Sequence, residues 1–213
     1  LMVRPPLPGE ESHTQFVHEE LEIYLSLKRR AASLVDGLNA NTKHQVLLGV
    51  TGSGKTLAFL LPVLNNLKPN IKGVQCLILV PSRELALQIE QVFKQMGTGF
   101  KVNCCYGGHP IKTERNNLEQ PPAVLIGTPG RIAYHLRHEN FDESFATTLV
   151  LDEFDKALEF GFQEDMSYII RALLSVKQRI LTSATQMPEI PGFTGLKNQK
   201  EINFLQDTKV APD

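Results

Sequence analysis

Cysteine is scarce in this chain, which has three: Cys76, Cys104 and Cys105. The count is odd, two are adjacent and no CxxC pair occurs, so both a disulfide framework and a cysteine-built zinc site are argued against. Reduced thiols are expected, with Cys104 and Cys105 on a strand, buried and unreactive. Charge of one sign is lacking too: 22 Lys and Arg stand against 23 Asp and Glu, a net charge of −1. No global basic field announces a nucleic-acid partner, and any such contact must come from a local arrangement of groups. No apolar run approaches the roughly 18 residues of a membrane span. The opening LMVRPPLPGEES lacks the apolar core of a signal peptide, so the expectation is a soluble, cytoplasmic protein with no membrane partner. The six histidines show no metal spacing beyond His135 and His138, three apart on a predicted helix, and are expected at the surface. There is no internal repeat and no low-complexity tract.

What is present is a regular alternation. After a proline-rich arm (1–11), Val17, Leu21, Tyr24, Ala31, Val35 and Leu38 recur at helical spacing and mark a helical segment over 12–42. From residue 43 to 206, short apolar runs alternate with helix-length amphipathic stretches. The runs are Gln45–Gly49, Gln75–Val80, Lys101–Cys105, Ala123–Gly127, Thr148–Leu151 and Arg179–Thr182. Runs apolar on both faces predict a mostly parallel central sheet covered by helices on each side, an α/β three-layer sandwich. Residues 207–213 read as a tail or linker.

Two segments carry chemistry. Gly49-Val50-Thr51-Gly52-Ser53-Gly54-Lys55-Thr56 fits GxxxxGK[ST], between the apolar run QVLL and the helical stretch LAFLLPVLNNL. Glycines permit a turn that points backbone N–H groups inward, and the following helix presents its positive end to the same anion. Lys55 is placed to reach terminal phosphates, and the Thr56 hydroxyl to ligate Mg²⁺. The second segment is Asp152-Glu153, at the end of the run Thr148–Leu151, where a strand delivers side chains to the carboxyl edge of the sheet. Asp152 is the candidate metal carboxylate and Glu153 the candidate base for an attacking water.

With PSRELALQ (81–88), the Gly107-Gly108 pair, TPGR (128–131), DEFDKALEFGF and SAT (183–185) following TGSGKTLAFLLPVL in order, the chain resembles the DEAD-box family of RNA-dependent ATPases and helicases. The resemblance runs from about Lys43 to Phe204 and is to the first of the family's two RecA-like (P-loop NTPase) domains. It implies that Thr51, Gly52, Ser53, Gly54, Lys55 and Thr56 bind the phosphates of ATP. It further implies that Asp152 and Glu153 serve the Mg²⁺ and the water, and that Ser183 and Thr185 link this site to Asp155 and to interdomain closure. Pro81, Ser82, Arg83, Glu84, Gly107, Gly108, Thr128, Pro129, Gly130 and Arg131 would line an RNA path. Such a path can grip sugar and phosphate through close backbone approach, free N–H groups and arginine charge without reading bases.

The chain departs from the family in two places. Tyr24 to Val35 reads YLSLKRRAASLV, without the glutamine motif that recognises adenine in the family, and Phe154 stands where the family has alanine. KHQVLLGVTGSGKT also resembles the phosphate loop of repair-type helicases that act on DNA. Three readings stay open: an RNA helicase domain, a DNA-directed helicase domain and a noncatalytic nucleotide-binding scaffold. The family's second RecA-like domain does not fit into the residues after SAT, so weak hydrolysis by this chain alone is expected.

Overall fold

The computed structural model describes residues 44–48, 55–197 and 199–203. The arm, the amino-terminal helical segment, the tail, and Thr51, Gly52, Ser53 and Gly54 lie outside the described residues.

The strands are β1 (His44–Leu48), β2 (Cys76–Leu79), β3 (Val102–Cys105), β4 (Val124–Gly127), β5 (Thr148–Leu151), β6 (Gln178–Ser183) and β7 (Lys200–Asn203). They form one seven-stranded sheet in the order β3-β4-β2-β5-β6-β1-β7. Every pairing is parallel. The six apolar runs are all strands. The seventh was not legible: of Lys200-Glu201-Ile202-Asn203 only Ile202 is buried, as suits an edge strand that packs one side chain.

The helices are α1 (Lys55–Asn66), α2 (Arg83–Gln95), α3 (Ile111–Leu118), α4 (Pro129–Arg137), α5 (Phe154–Glu159) and α6 (Gln163–Ala172). Alternation along the strands divides the core into two layers, because successive side chains point to opposite faces. Val46, Leu48, Leu77, Leu79, Leu125, Leu149, Leu151 and Leu181 pack under α3, α4, α5 and α6. Leu47, Cys76, Ile78, Val124, Ile126, Val150 and Ile180 pack under α1 and α2. This is the α/β three-layer sandwich expected from the runs, and it agrees with the RecA-like domain that the resemblance implies. Each fully buried leucine or isoleucine contributes about 1.5–3 kcal/mol.

Local signals set the helix starts. Ser82 caps α2, its Oγ accepting the Leu85 N–H at 3.2 Å, and Ala86, Ile89 and Phe93 form the buried stripe. Pro129 stands at the first position of α4, where its missing N–H costs nothing. Gly127 is required by space: a Cβ there would lie 2.6 Å from Ile132 Cδ1 and collide with the Cys105 carbonyl. Phe154 is fully buried, its ring centroid 6.1 Å from that of Phe193. Phe162 packs against the core, whereas Phe160 is 59% exposed. One expectation is corrected. His138 is exposed, but His135 is wholly buried, because both its ring nitrogens have polar partners inside.

Candidate functional site

The strands end in step. Cys105, Gly127, Leu79, Leu151 and Leu181 are successive partners across the sheet, and Leu48 pairs with Ser183. The residues that follow them therefore emerge side by side on the carboxyl edge, where open α/β sheets hold their ligands. Two groups form there.

The first gathers at β5, β6 and the start of α1. Lys55, Thr56, Asp152 and Glu153 line one cavity of about 430 Å³, whose further wall is Leu85, Gln88, Val92, Gln95 and Met96 of α2. Asp152 is buried, and Thr182 Oγ1 donates to its Oδ1. The same hydroxyl accepts the Glu153 N–H at 3.1 Å. Glu153 takes a left-handed backbone, φ 47° and ψ 50°, between the strand and α5. Non-glycine residues occupy that region sparingly, and it is held here by bonds on both sides. Burial pushes the Asp152 carboxyl up to about 6, against the downward pull of the Thr182 hydrogen bond and the Lys55 charge.

This donor set, a desolvated carboxylate sharing a cavity with a threonine hydroxyl, is hard and oxygen-based, and so fits Mg²⁺. Behind it, Thr185 Oγ1 donates to Asp155 Oδ2 at 2.9 Å, and Ser183 Oγ bonds the Thr185 carbonyl at 2.6 Å. Asp155 Oδ1 is buried without a hydrogen-bond partner among the described residues. Thr182 was not singled out from the sequence. The signal for it is register: Leu151 pairs with Leu181, which sets Thr182 beside Asp152.

The second group lies at the ends of β2, β3 and β4. Pro81, Ser82, Arg83, Gly107, Thr128, Gly130 and Arg131 line a second cavity of about 540 Å³, with Ile111, Tyr134 and Phe162. Three segments far apart in sequence are thus brought together. Of the other residues expected here, Glu84 and Gly108 are exposed outside the cavity lining and Pro129 is buried at the head of α4. The Arg83 guanidinium rests over the Tyr106 ring, 5.2 Å from its centroid. Arg131 Nη1 donates to Glu114 Oε2 at 3.2 Å.

The DEAD/DEAH box helicase family model matches residues 30–191. The chain is 39% identical over 178 residues to the ATP-dependent RNA helicase DeaD of Escherichia coli, an alignment covering 81% of this chain and 28% of that protein. It is 37% identical over 171 residues to the ATP-dependent rRNA helicase RRP3 of Encephalitozoon cuniculi, covering 78% of this chain and 43% of that one. The chain therefore spans less than half the length of these relatives. Among solved structures, a DEAD box protein from Methanococcus jannaschii superimposes with a TM-score of 0.69 at 30% identity, over 75% of this chain and 45% of that one. A hypothetical ATP-dependent RNA helicase from Sulfolobus tokodaii gives 0.71 at 26% identity, over 85% and 56%.

Proposed function

The chain belongs to the DEAD/DEAH box helicase family, and from that membership we propose that it is the first, ATP-binding RecA-like domain of an RNA helicase, which couples ATP hydrolysis to RNA binding and local duplex unwinding. The observation that carries this reading is the convergence of Lys55, Thr56, Asp152 and Glu153 on one cavity, on the same sheet edge as a second cavity lined by PSR, Gly107 and TGR residues.

Lys55 contacts the terminal phosphates, held at the buried start of α1 where the helix dipole adds to its charge. Thr56 and Asp152 hold Mg²⁺, which when bound offsets charge on the phosphate oxygens. Thr182 fixes the Asp152 carboxylate and, through the Glu153 N–H, sets the backbone from which Glu153 orients and deprotonates the attacking water. Thr185 ties Asp155 to the segment after β6 and so links the site to interdomain closure. RNA lies along the second cavity, gripped by its sugar-phosphate backbone.

A complete site takes groups from a second RecA-like domain, so this chain alone binds ATP and turns it over slowly. The RNA reading is preferred to a DNA-directed one because the relatives matched are named RNA helicases. Calorimetry with ATP on this chain and on Lys55→Ala, and ATPase assays with a second RecA-like domain supplied and RNA or DNA added, test it. ATP binding lost in Lys55→Ala and stimulation by RNA are expected. No ATP binding, or equal stimulation by DNA, would overturn it, and full helicase-rate turnover by this chain alone would refute the division between domains.

A further inference from the structure

One buried side chain that neither the motifs nor the comparisons assign underlies the second cavity. Glu114, on α3, is 1% exposed. Its Oε1 accepts the Tyr106 N–H at 3.0 Å, and its Oε2 accepts Arg131 Nη1 at 3.2 Å. His135 Nε2 lies 2.8 Å from the same Oε2, while Asn140 Nδ2 lies 2.9 Å from His135 Nδ1. With Asn140 donating to Nδ1, the ring carries its proton on Nε2 and gives it to Glu114. One carboxylate thus fastens α3 to the turn after β3 and to both ends of α4.

We propose that Glu114 is the positioning residue of the RNA path and that it retains the Arg131 charge, so that phosphates are gripped by Arg83 and backbone N–H groups and not by Arg131. This rests on the RNA-path reading above. The Arg131 side chain is 14% exposed and Glu114 is wholly enclosed. Turning the guanidinium out to a phosphate would leave a buried carboxylate without its cation, which costs more than a solvent-facing ion pair returns. Arg83 is exposed and rests on the Tyr106 ring, and Tyr106 is the residue whose backbone Glu114 holds. The carboxylate therefore sets the platform under the arginine that is free to face solvent.

Cys105, Glu114 and His135 also bring possible metal-ligand atoms within 4.8 Å of one another. The guanidinium on the same carboxylate and the engagement of both imidazole nitrogens make this a hydrogen-bonded cluster rather than a cation site.

Two measurements test the proposal. Binding of a labelled oligouridylate to the 213-residue chain is followed by fluorescence anisotropy across a salt series. Arg83→Ala lowers the slope of log affinity against log salt by about 0.7, the value of one single-strand phosphate contact. The charge-balanced double variant Glu114→Gln with Arg131→Gln keeps the wild-type slope. A drop of about 0.7 in the double variant would make Arg131 a phosphate ligand and overturn the proposal.

Independently of RNA, the Tyr106 amide exchanges with solvent at least about ten-fold faster in Glu114→Ala but stays protected in Glu114→Gln. Equal protection in Glu114→Ala would also overturn it. Failure of the unaltered chain to bind oligouridylate, alone or joined to a second RecA-like domain, would refute the RNA-path reading instead, while amide exchange still decides whether Glu114 holds the turn.

Discussion

Replacing Thr182 by valine keeps the side-chain volume close to native and removes one hydroxyl that serves two partners. That hydroxyl donates to Asp152 Oδ1 and accepts the Glu153 N–H at 3.1 Å. A hydrogen bond to a charged group is worth about 1.5–3 kcal/mol, and each pKa unit corresponds to about 1.4 kcal/mol. The substitution should therefore raise the Asp152 pKa further above about 6, by the equivalent of the lost bond.

The sign for stability follows from the direction of the shift. Because the folded carboxyl titrates at about 6 and its reference value is 3.8, the folded state holds the proton more tightly. The contribution of Asp152 is fully present below 3.8 and is lost as pH rises through about 6, a loss of about 3 kcal/mol. In Thr182→Val that decline moves to higher pH. Carboxyl-carbon NMR titration of Asp152, paired with urea unfolding at a series of pH values, measures both quantities. An Asp152 that titrates at the same pH in the wild type and in Thr182→Val, or near 3.8 in both, refutes the reasoning. Adding ATP with Mg²⁺ should move the titration down, because a cation at Asp152 favours the charged form.

Other expectations are simpler. Gly127→Ala forces a Cβ against the Cys105 carbonyl and Ile132 and should destabilise by at least ~2 kcal/mol in urea unfolding, whereas Gly107→Ala, with nothing within 4 Å of the new atom, should stay within ~0.5 kcal/mol. Phe154→Ala restores the residue the family resemblance leads one to expect, yet it empties a fully buried site against Phe193; a loss of about 3–5 kcal/mol is expected by calorimetric unfolding. Burial pushes the Cys104 thiol up to about 12 and the thiols of Cys76 and Cys105 above their ordinary range. Thiol reagents at mildly alkaline pH should therefore label none of the three rapidly until denaturant is added.

The layers of the fold were legible because parallel strands buried on both faces are written as short continuous apolar runs. β2, with Cys76 to Leu79 all buried, is the clear case. β7 was not, because an edge strand that buries only Ile202 leaves no such run. The groups lining the first cavity were legible where one segment carries them, as at Lys55-Thr56 and Asp152-Glu153. Thr182 was not legible, because its role depends on pairing between strands far apart in sequence. Glu114 and His135 were hidden for a different reason. Polar residues on helices read as surface, and their burial follows from mutual satisfaction that only assembled elements provide.

The in-step strand ends carry a mechanical consequence. Lateral backbone bonds run across the sheet just beneath both cavities: Asp152 N to the Leu79 carbonyl at 2.9 Å, Val80 N to the Gly127 carbonyl at 3.0 Å, and Thr128 N to the Cys105 carbonyl at 3.1 Å. With a packed layer on each face, this row is a stiff plate that resists shear. The span from the acids after β5 to the arginine-bearing turns is a fixed gauge length. Within this domain the two cavities stand as two marks on one ruler, their spacing held by the sheet between them.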